Sequence, residues 1–261
     1  MMKRALLLLS LLAVPCVVAS GKADAVPGTT ATTVSPLDKF CNLLKLSGRS
    51  DKVINILRAG YEGDTVTLES LKDKKHIASY CIGAAAAGNK ELVLQCLDKG
   101  ANPDEGLHGS AYGGHMDIVQ SMLSKGADPD WGLEVAAEGG HMDIVQLLVS
   151  KGATNLNDGL EVAALGGHID IVQLLLDKGA TDYNEGLRGA AEGGHIDIVQ
   201  LMLSKGAAPN NGLGGAAAGG HMDIVQLMLS KGATDLGSAL KVAEFWGYTE
   251  CADLIRAAMK K

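Results

Sequence analysis

Apolar residues recur along most of this chain in two short helical patterns, which are joined by a pair of glycines. In residues 159–179 (GLEVAALGGHIDIVQLLLDKG), the first pattern places Leu160, Ala163 and Ala164 on one face of a helix. After the glycine pair, the second pattern forms another apolar face from Ile171, Val172, Leu174, Leu175 and Leu176. A glycine just after a periodic run is typical of a helix end. The pattern therefore predicts a helix, a tight turn and a second, antiparallel helix.

The block G-G-H-[MI]-D-I-V-Q makes this helix pair a repeat. Its five copies begin at Gly113, Gly139, Gly166, Gly193 and Gly219, so they follow one another at a nearly constant interval. A period of this size predicts one supersecondary unit that is stacked many times. A single unit cannot bury its own apolar face, so its neighbours must cover it, and the stack presents a long surface. Such a surface favours binding over a single catalytic pocket.

Weaker copies flank the five clear ones. Residues 89–100 (NKELVLQCLDKG) and residues 49–60 (RSDKVINILRAG) both align with the second helix of the clear copies, and Tyr248 takes the place of the histidine in a last copy. The alignment predicts a solenoid over residues 37–261. It consists of an N-terminal cap over about 38–75, six repeats over about 76–237 and a C-terminal cap over about 238–261. About 13 extra residues fall within Tyr61–His76, which predicts either a longer turn that completes the cap or a contact loop.

Residues 136–154 (AAEGGHMDIVQLLVSKGAT) carry a pattern that resembles the ankyrin repeat. The resemblance covers roughly residues 38–259. It implies an all-α solenoid of stacked antiparallel helix pairs, whose first helices line the concave side. The T-P-L-H tetrapeptide of the family is missing from the first helix, and the unit is about six residues shorter than the usual 33 or so. The shortening predicts short loops in place of the long β-hairpin fingers of the family.

The start of the chain is predicted to be a signal peptide over residues 1–25. A short basic segment precedes the apolar residues 5–18, which are too few for a membrane-spanning helix. Cleavage fits after Ser20 or after Ala25, and an uncleaved anchor is the alternative. Residues 26–36 (VPGTTATTVSP) are predicted to be a flexible leader. We therefore expect an exported protein, either periplasmic or secreted.

Charge and cysteine content narrow the function further. The net charge is −7 and no basic stripe runs along the chain, which argues against a nucleic-acid partner. Beyond the signal peptide, the chain has cysteines at positions that are apolar in other copies: Cys41, Cys81, Cys96 and Cys251. They are predicted to be buried thiols that act as small apolar residues. A disulfide between Cys81 and Cys96, within one unit, is the alternative in an oxidising compartment.

The repeated histidines are not predicted to bind a metal ion. Stacked helices lie about 8–10 Å apart, so equivalent histidines cannot share a zinc ion, whose ligands lie about 2 Å from it. The His and Asp of each copy, such as His115 and Asp117, are predicted to close turns and cap helices. No Ser-His-Asp or Cys-His constellation stands out from the repeats. We therefore expect no catalysis, no metal and no cofactor.

Positions that differ between the copies are the candidates for binding, because the shared packing does not restrict them. Two such positions lie four residues apart on the first helix and share one face, and others lie in the loop before it. We name this set the concave strip. It consists of His108, Tyr112, Trp131, Glu134, Glu138, Glu161, Leu165, Tyr183, Arg188 and Glu192. Exposed Trp and Tyr are enriched at binding hot spots. The alternative is drift on a solvated face.

These features predict an exported, non-enzymatic module that binds a protein partner on the concave strip. The sequence does not identify the partner. The alternative is a structural or protective periplasmic or extracellular protein whose array only adds stability or spacing. A uniform array without a partner surface would favour the alternative.

The signal peptide predicts the N-terminus of the exported protein. It should begin at Gly21 or Val26, because cleavage follows Ser20 or Ala25. N-terminal sequencing of protein recovered from outside the cytoplasm measures this. Exported protein that still begins at Met1 would contradict the prediction.

Overall fold

The computed structural model describes residues 51–260, which form sixteen α-helices and no strand. The helices are α1 (Asp51–Glu62), α2 (Thr65–Ser70), α3 (Lys74–Ala86), α4 (Lys90–Asp98), α5 (Pro103–Gly113), α6 (Met116–Ser124), α7 (Asp130–Glu138), α8 (Met142–Ser150), α9 (Leu156–Gly166), α10 (Ile169–Asp177), α11 (Tyr183–Gly193), α12 (Ile196–Ser204), α13 (Pro209–Gly219), α14 (Met222–Ser230), α15 (Leu236–Trp246) and α16 (Thr249–Ala258). None of these helices is long and apolar enough to cross a membrane. The predicted signal peptide, the leader and Cys41 lie outside the described residues.

The helices form eight antiparallel pairs, each with an odd-numbered first helix and an even-numbered second helix. Each first helix packs along the first helices before and after it, whereas the second helices touch one another at few positions. Because one layer is closely packed and the other is splayed, the stack curves with the first helices on its inner side. The predicted all-α solenoid of stacked helix pairs with short loops is confirmed, and the concave strip lies in its inner layer.

The residue six positions before each histidine sets the spacing of the first helices. At Gly189, an added Cβ would lie 2.5 Å from the carbonyl oxygen of Glu161 on the neighbouring helix, so no side chain fits there. Three other units have valine in this position: Val135 and Val162 are buried, and Val242 is half-buried. Where valine replaces glycine, the neighbouring first helices approach each other over fewer residues. The inner layer is therefore wider on both sides of α7 than at the neighbouring interfaces.

Each central unit is joined to the one before it by a histidine ring. The Nε2 atom of the histidine donates a hydrogen bond to a main-chain carbonyl in the first helix of the unit before, at 2.9 to 3.1 Å. The pairs are His115 with Ala86, His141 with Tyr112, His168 with Glu138, His195 with Leu165 and His221 with Glu192. Glycines make room for the ring, because an added Cβ at Gly166 or Gly140 would lie 2.7 or 2.6 Å from His168. Each of these histidines is the N-cap residue of its second helix, as predicted, but its side chain makes no capping bond and bonds across the unit boundary instead.

A second set of bonds between units holds the short loops in place. Oδ1 of Asn157 accepts hydrogen bonds from the main-chain N–H groups of Thr181 and Asp182 in the next loop, at 2.8 and 3.1 Å. Other copies make the equivalent bond: Asp104 with Asp128, Asp130 with Thr154, Asn184 with Ala208 and Asn210 with Thr234. A side chain of one unit thus satisfies the loop backbone of the next, and the loop is ordered without a hairpin of its own.

The alignment of the N-terminal residues is wrong by one helix. Helix α1 packs along α3 in the inner layer, so it is a first helix and not the predicted second helix. Gly63 has a φ of 78°, the same as Gly88 at the end of the next first helix, and Asp64 caps α2 in the histidine's place. The step from Asp64 to Asn89, the next residue in that place, is close to one repeat period, so Tyr61–His76 contains no insertion.

Gly60 is the physical cause of this error. It follows an apolar run, as a glycine at a helix end does, but the structure places it inside α1. An added Cβ there would lie 2.9 Å from the carbonyl carbon of Tyr80 on α3. The close approach of two helices requires this glycine, and no turn is involved.

Aliphatic side chains fill the space between the two layers. Leu175 is fully buried, whereas its neighbour Leu174 is half-buried. The described cysteines, Cys81, Cys96 and Cys251, are buried free thiols, which confirms their predicted role as small core residues.

Leu175→Ala should lower the free energy of unfolding by about 2–5 kcal/mol, because it leaves a cavity in a fully buried site. Leu174→Ala, at the half-buried position beside it, is the matched control and should cost less. Chemical denaturation followed by circular dichroism measures both variants. An unchanged denaturation midpoint for Leu175→Ala would show that the apolar face of α10 is assigned wrongly.

Candidate partner-binding surface

The concave strip lies on four consecutive first helices of the inner layer. Its members are His108 and Tyr112 on α5, Trp131, Glu134 and Glu138 on α7, Glu161 and Leu165 on α9, and Tyr183, Arg188 and Glu192 on α11. His108 and Glu161 are only 8% and 6% exposed, and the other eight are half-buried. The structure thus brings the ten residues to one layer, but it encloses them more than the sequence predicted.

Contacts between units explain this burial. His108 lies between α5 and α7, where its Nδ1 donates a hydrogen bond to the main-chain carbonyl of Trp131 at 3.2 Å. Burial lowers the pKa of His108, which favours the neutral ring. The side chains of Tyr112, Trp131 and Tyr183 also pack against the core. His108 and Glu161 therefore act inside the array, which corrects their predicted exposure, and the other eight members are partly exposed on the inner layer.

Arg188 is the centre of an ion network on the inner layer. Its Nε and Nη1 atoms bond to Glu185 and Glu192, at 2.7 and 3.2 Å, and its Nη2 bonds to Glu161. The Arg188 side chain is 22% exposed, and those of Glu161 and Glu192 are 9% exposed. Charge-assisted bonds of this kind are stronger than neutral ones. Because Glu161 belongs to the preceding unit, the network ties α9 to α11 as well as ordering the surface.

Burial shifts the protonation of this network. It raises the pKa of Glu192 to about 7, although the charge of Arg188 opposes the shift. Burial also raises the pKa of Glu185, with a smaller contribution from Asp182. Three carboxyl groups surround one guanidinium, so a proton can enter the network near neutral pH.

A second group of acidic side chains lies on α7. Burial raises the pKa of Glu138. It also raises the pKa of Tyr112 to about 12, and the nearby Glu138 carboxylate adds to that shift. Glu134 lies one turn before Glu138 on the same helix. The strip contains four glutamates and one arginine, so its net charge is negative.

The spacing of the inner layer places these residues beside its wider part. Val135 and Val162 separate α7 from the first helices on either side. The half-buried side chains of Tyr112, Glu138 and Leu165 occupy the same repeat position on α5, α7 and α9. The part of the strip around α7 therefore lies where the first helices within the strip pack least closely.

Two aromatic residues extend the strip beyond the predicted set. Phe245 on α15 occupies the repeat position of Tyr112 and Glu138, and it is 81% exposed. Its ring centroid lies 5.2 Å from that of Trp246, in an edge-to-face arrangement. Adjacent exposed rings form an apolar patch, and such patches mark interaction sites more often than single exposed residues do. The alignment of the last copy on the histidine position already contained this signal, because it places Phe245 at a variable position.

The outer layer has a different character. Shallow open clefts lie between neighbouring second helices, and their linings repeat from unit to unit. One cleft is lined by Gln120, Leu123, Ser124, Pro129, Leu147 and Lys151. The next is lined by Gln146, Val149, Ser150, Leu174 and Lys178. Over the described residues, no group of His, Cys, Asp or Glu side chains is arranged to hold a metal ion.

Comparison with known families identifies the repeat. Residues 107–186 match the family described as "Ankyrin repeats (3 copies)". This stretch begins in α5 and ends in α11, so it contains eight of the ten residues of the concave strip. A search of curated proteins found no match to the chain. The ankyrin repeat prediction is confirmed for residues 107–186, and the described units on either side repeat the same helix pairs.

Glu192→Gln should reduce the pH dependence of stability between about pH 4.5 and pH 7. The pKa of Glu192 rises from 4.5 to about 7 on folding, so the folded state binds this proton more tightly than the unfolded chain does. Its contribution to stability is therefore full below about pH 4.5 and is lost as the pH rises through about 7. Denaturation midpoints across this range, for the parent and the variant, measure the difference. Glu250→Gln, at an exposed carboxyl, is the control, and identical profiles for the parent and Glu192→Gln would contradict the prediction.

Proposed function

We propose that this protein is exported and binds a protein partner on the concave strip, without catalysing a reaction. Ankyrin repeats generally mediate protein–protein interactions, and proteins built from them are generally non-enzymatic scaffolds. The observation that supports the proposal is the location of the sequence differences between the copies. Near-identical units vary along one face of four consecutive first helices, and that face holds aromatic and acidic side chains.

The strip fits a partner segment with basic and apolar side chains. Arg188 is bonded to three carboxylates of α9 and α11, so its charge is used there and does not offset the carboxylate of Glu138. A cation that approaches Glu138 would favour its ionised form, which burial disfavours in the free protein. Tyr112 and Trp131 flank this acidic part and offer apolar contact area, of the kind that anchors interfaces.

Phe245 supports a partner that runs along several units. It repeats the position of Tyr112 and Glu138 but lies on α15, five first helices after α5. First helices stack about 8–10 Å apart, so an extended segment of a dozen or so residues could reach from the acidic part to this aromatic pair. A solenoid offers such a surface because its inner layer continues from one unit to the next.

The second candidate is a structural or protective array without a dedicated partner. The two outer clefts favour it, because four equivalent positions of their linings hold the same residue types, namely Gln, Ser, Leu and Lys. Half-burial of the strip also agrees with this candidate, since variable side chains could serve only the packing between units. The two candidates differ in whether changes on the strip alter binding while leaving stability unchanged.

Affinity purification with the exported form of the chain should recover the partner, and binding assays on variants then test the surface. Trp131→Ala should weaken binding by at least about 2 kcal/mol if Trp131 is an anchor. Glu134→Gln combined with Glu138→Gln should slow association and reduce its salt dependence, because acidic groups act mainly on the encounter. Glutamine preserves the shape of the half-buried glutamate side chains, so the fold should be retained.

Gln146→Arg, on the exposed outer face of α8, is the matched control and should bind like the parent. Circular dichroism of each variant separates a loss of binding from a loss of folding. If the strip variants are folded and bind the recovered partner as well as the parent does, the strip is not the binding surface. If no partner is recovered by the exported form, the structural candidate is favoured.

A further inference from the structure

Cys81 and Cys96 face each other within one helix pair. Cys81 lies on α3 and Cys96 on α4, and both are 0% exposed. The Cys81 thiol donates a hydrogen bond to the sulfur of Cys96. The same two repeat positions hold Leu133 and Leu148 in a central unit, and both are ordinary core residues. The second described unit has therefore replaced a pair of apolar side chains by two thiols in contact.

Tyr80 explains the small size of Cys96. The position of Tyr80 is glycine in the next unit, where an added Cβ at Gly106 would lie 3.1 Å from Cγ of Met122 on the second helix. Tyr80 fills this space, and its hydroxyl donates a hydrogen bond to the carbonyl oxygen of Asp64 at 2.9 Å. A leucine or methionine in place of Cys96 would compete with the tyrosine ring for the same volume.

Size does not explain Cys81. Its position is leucine in the central repeats, and Tyr80 lies next to it in the chain rather than opposite to it. If a smaller side chain were all that either position required, alanine or valine would serve equally well. What the two residues share is a thiol, and each thiol lies in contact with the other. The pair thus has chemistry available that packing alone does not require.

We propose that Cys81 and Cys96 are a modification site, at which exchange with a low-molecular-weight disulfide such as oxidised glutathione forms a disulfide between α3 and α4. The bond would close a loop that runs from Cys81 through the turn to Cys96, and closing such a loop removes conformational freedom from the unfolded chain. This inference concerns the stability of one unit, and it does not depend on partner binding at the concave strip.

Either thiol can attack first once the pair is opened, and attack by Cys96 gives the following steps. In the closed pair the two thiols share a hydrogen bond, which lowers the pKa of Cys96 and raises the pKa of Cys81. The Cys96 thiolate attacks one sulfur of oxidised glutathione, a mixed disulfide forms, and one glutathione leaves as a thiolate that takes up the proton lost by Cys96. Cys81 then loses its proton and attacks the Cys96 sulfur, and the second glutathione leaves and takes up that proton. The chain is oxidised by two electrons, and one disulfide is reduced to two thiols.

Because both sulfurs are buried, exchange takes place during folding or on local opening of α3 and α4. Once formed, the disulfide fixes the helix pair that lies between α1 and α5. The contacts of α3 with α1 and α5 are tight, because Gly83 and Gly109 allow the backbones to approach closely on both sides of α3. Oxidation should therefore protect the contacts of α3 with both neighbouring first helices.

Peptide mapping of the full chain tests the proposal. The protein is equilibrated in a buffer of oxidised and reduced glutathione. It is then unfolded in the presence of an alkylating agent, which blocks the free thiols, and digested with trypsin. Trypsin cleaves after Lys90, so residues 76–90 and 91–99 separate unless a disulfide joins them. We expect one joined peptide from the oxidised sample and two alkylated peptides after reduction. Cys251, in residues 242–256, is the internal control and should be alkylated in both samples.

Hydrogen exchange measures the structural effect. Oxidation should slow amide exchange in α3 and α4 of the parent and of Cys251→Ala, and should have no effect on Cys96→Ala. The proposal is overturned if Cys81 and Cys96 remain alkylatable in oxidising glutathione, or if either is joined to Cys41 or Cys251 instead. It is also overturned if oxidation slows exchange equally in Cys96→Ala. Comparison of the reduced forms of parent and variant controls for any loss of packing.

Discussion

The ring of each repeated histidine fits between two glycines and bonds to a carbonyl of the preceding unit, and this contact determines the rest of the array. The slot for His168 needs the absence of side chains at both Gly166 and Gly140, one from each unit. The carbonyl that the ring reaches belongs to Glu138, which is also a residue of the concave strip. The same main-chain segment therefore joins two units and presents a variable side chain to the inner surface. The side chain at this position can change because the joining contact uses only the backbone.

The spacing of the inner layer is a second consequence of small residues. Where Gly189 lies at a contact, backbone meets backbone, and where Val135 or Val162 lies there, the helices stay apart. The acidic part of the concave strip occurs beside these valines, while the network of Arg188 lies in the closely packed part. One surface thus has two electrostatic environments. In one, an arginine neutralises charge within the array, and in the other, burial itself disfavours the charge of Glu138.

Much of the fold could be predicted because the same sequence pattern, and with it the same set of contacts, occurs in several copies. The glycine pair and histidine located the turns, and the apolar faces located the core, with Leu175 fully buried. The N-terminal alignment failed at Gly60, because a glycine that allows helices to approach looks the same in sequence as one that ends a helix. The burial of Glu161 was missed for a different reason: its partner, Arg188, lies one full repeat away in the next unit, and charged, variable residues usually indicate solvent exposure. The bonds made by Asn157 and its equivalents were missed because they cross unit boundaries in the same way.

The bonds that join neighbouring units connect residues about one period apart. Asn157 reaches Thr181 in the next loop, and His168 reaches back to Glu138 in the preceding first helix. Recombination between two near-identical copies would insert or delete one whole period, and each junction that remains would still find a carbonyl, a glycine slot and a loop N–H in place. A gene of this kind can lengthen or shorten its product by one helix pair in a single event, without the new chain having to evolve an interface. The five central copies share the block G-G-H-[MI]-D-I-V-Q, so each of them would offer these same contacts to a new neighbour.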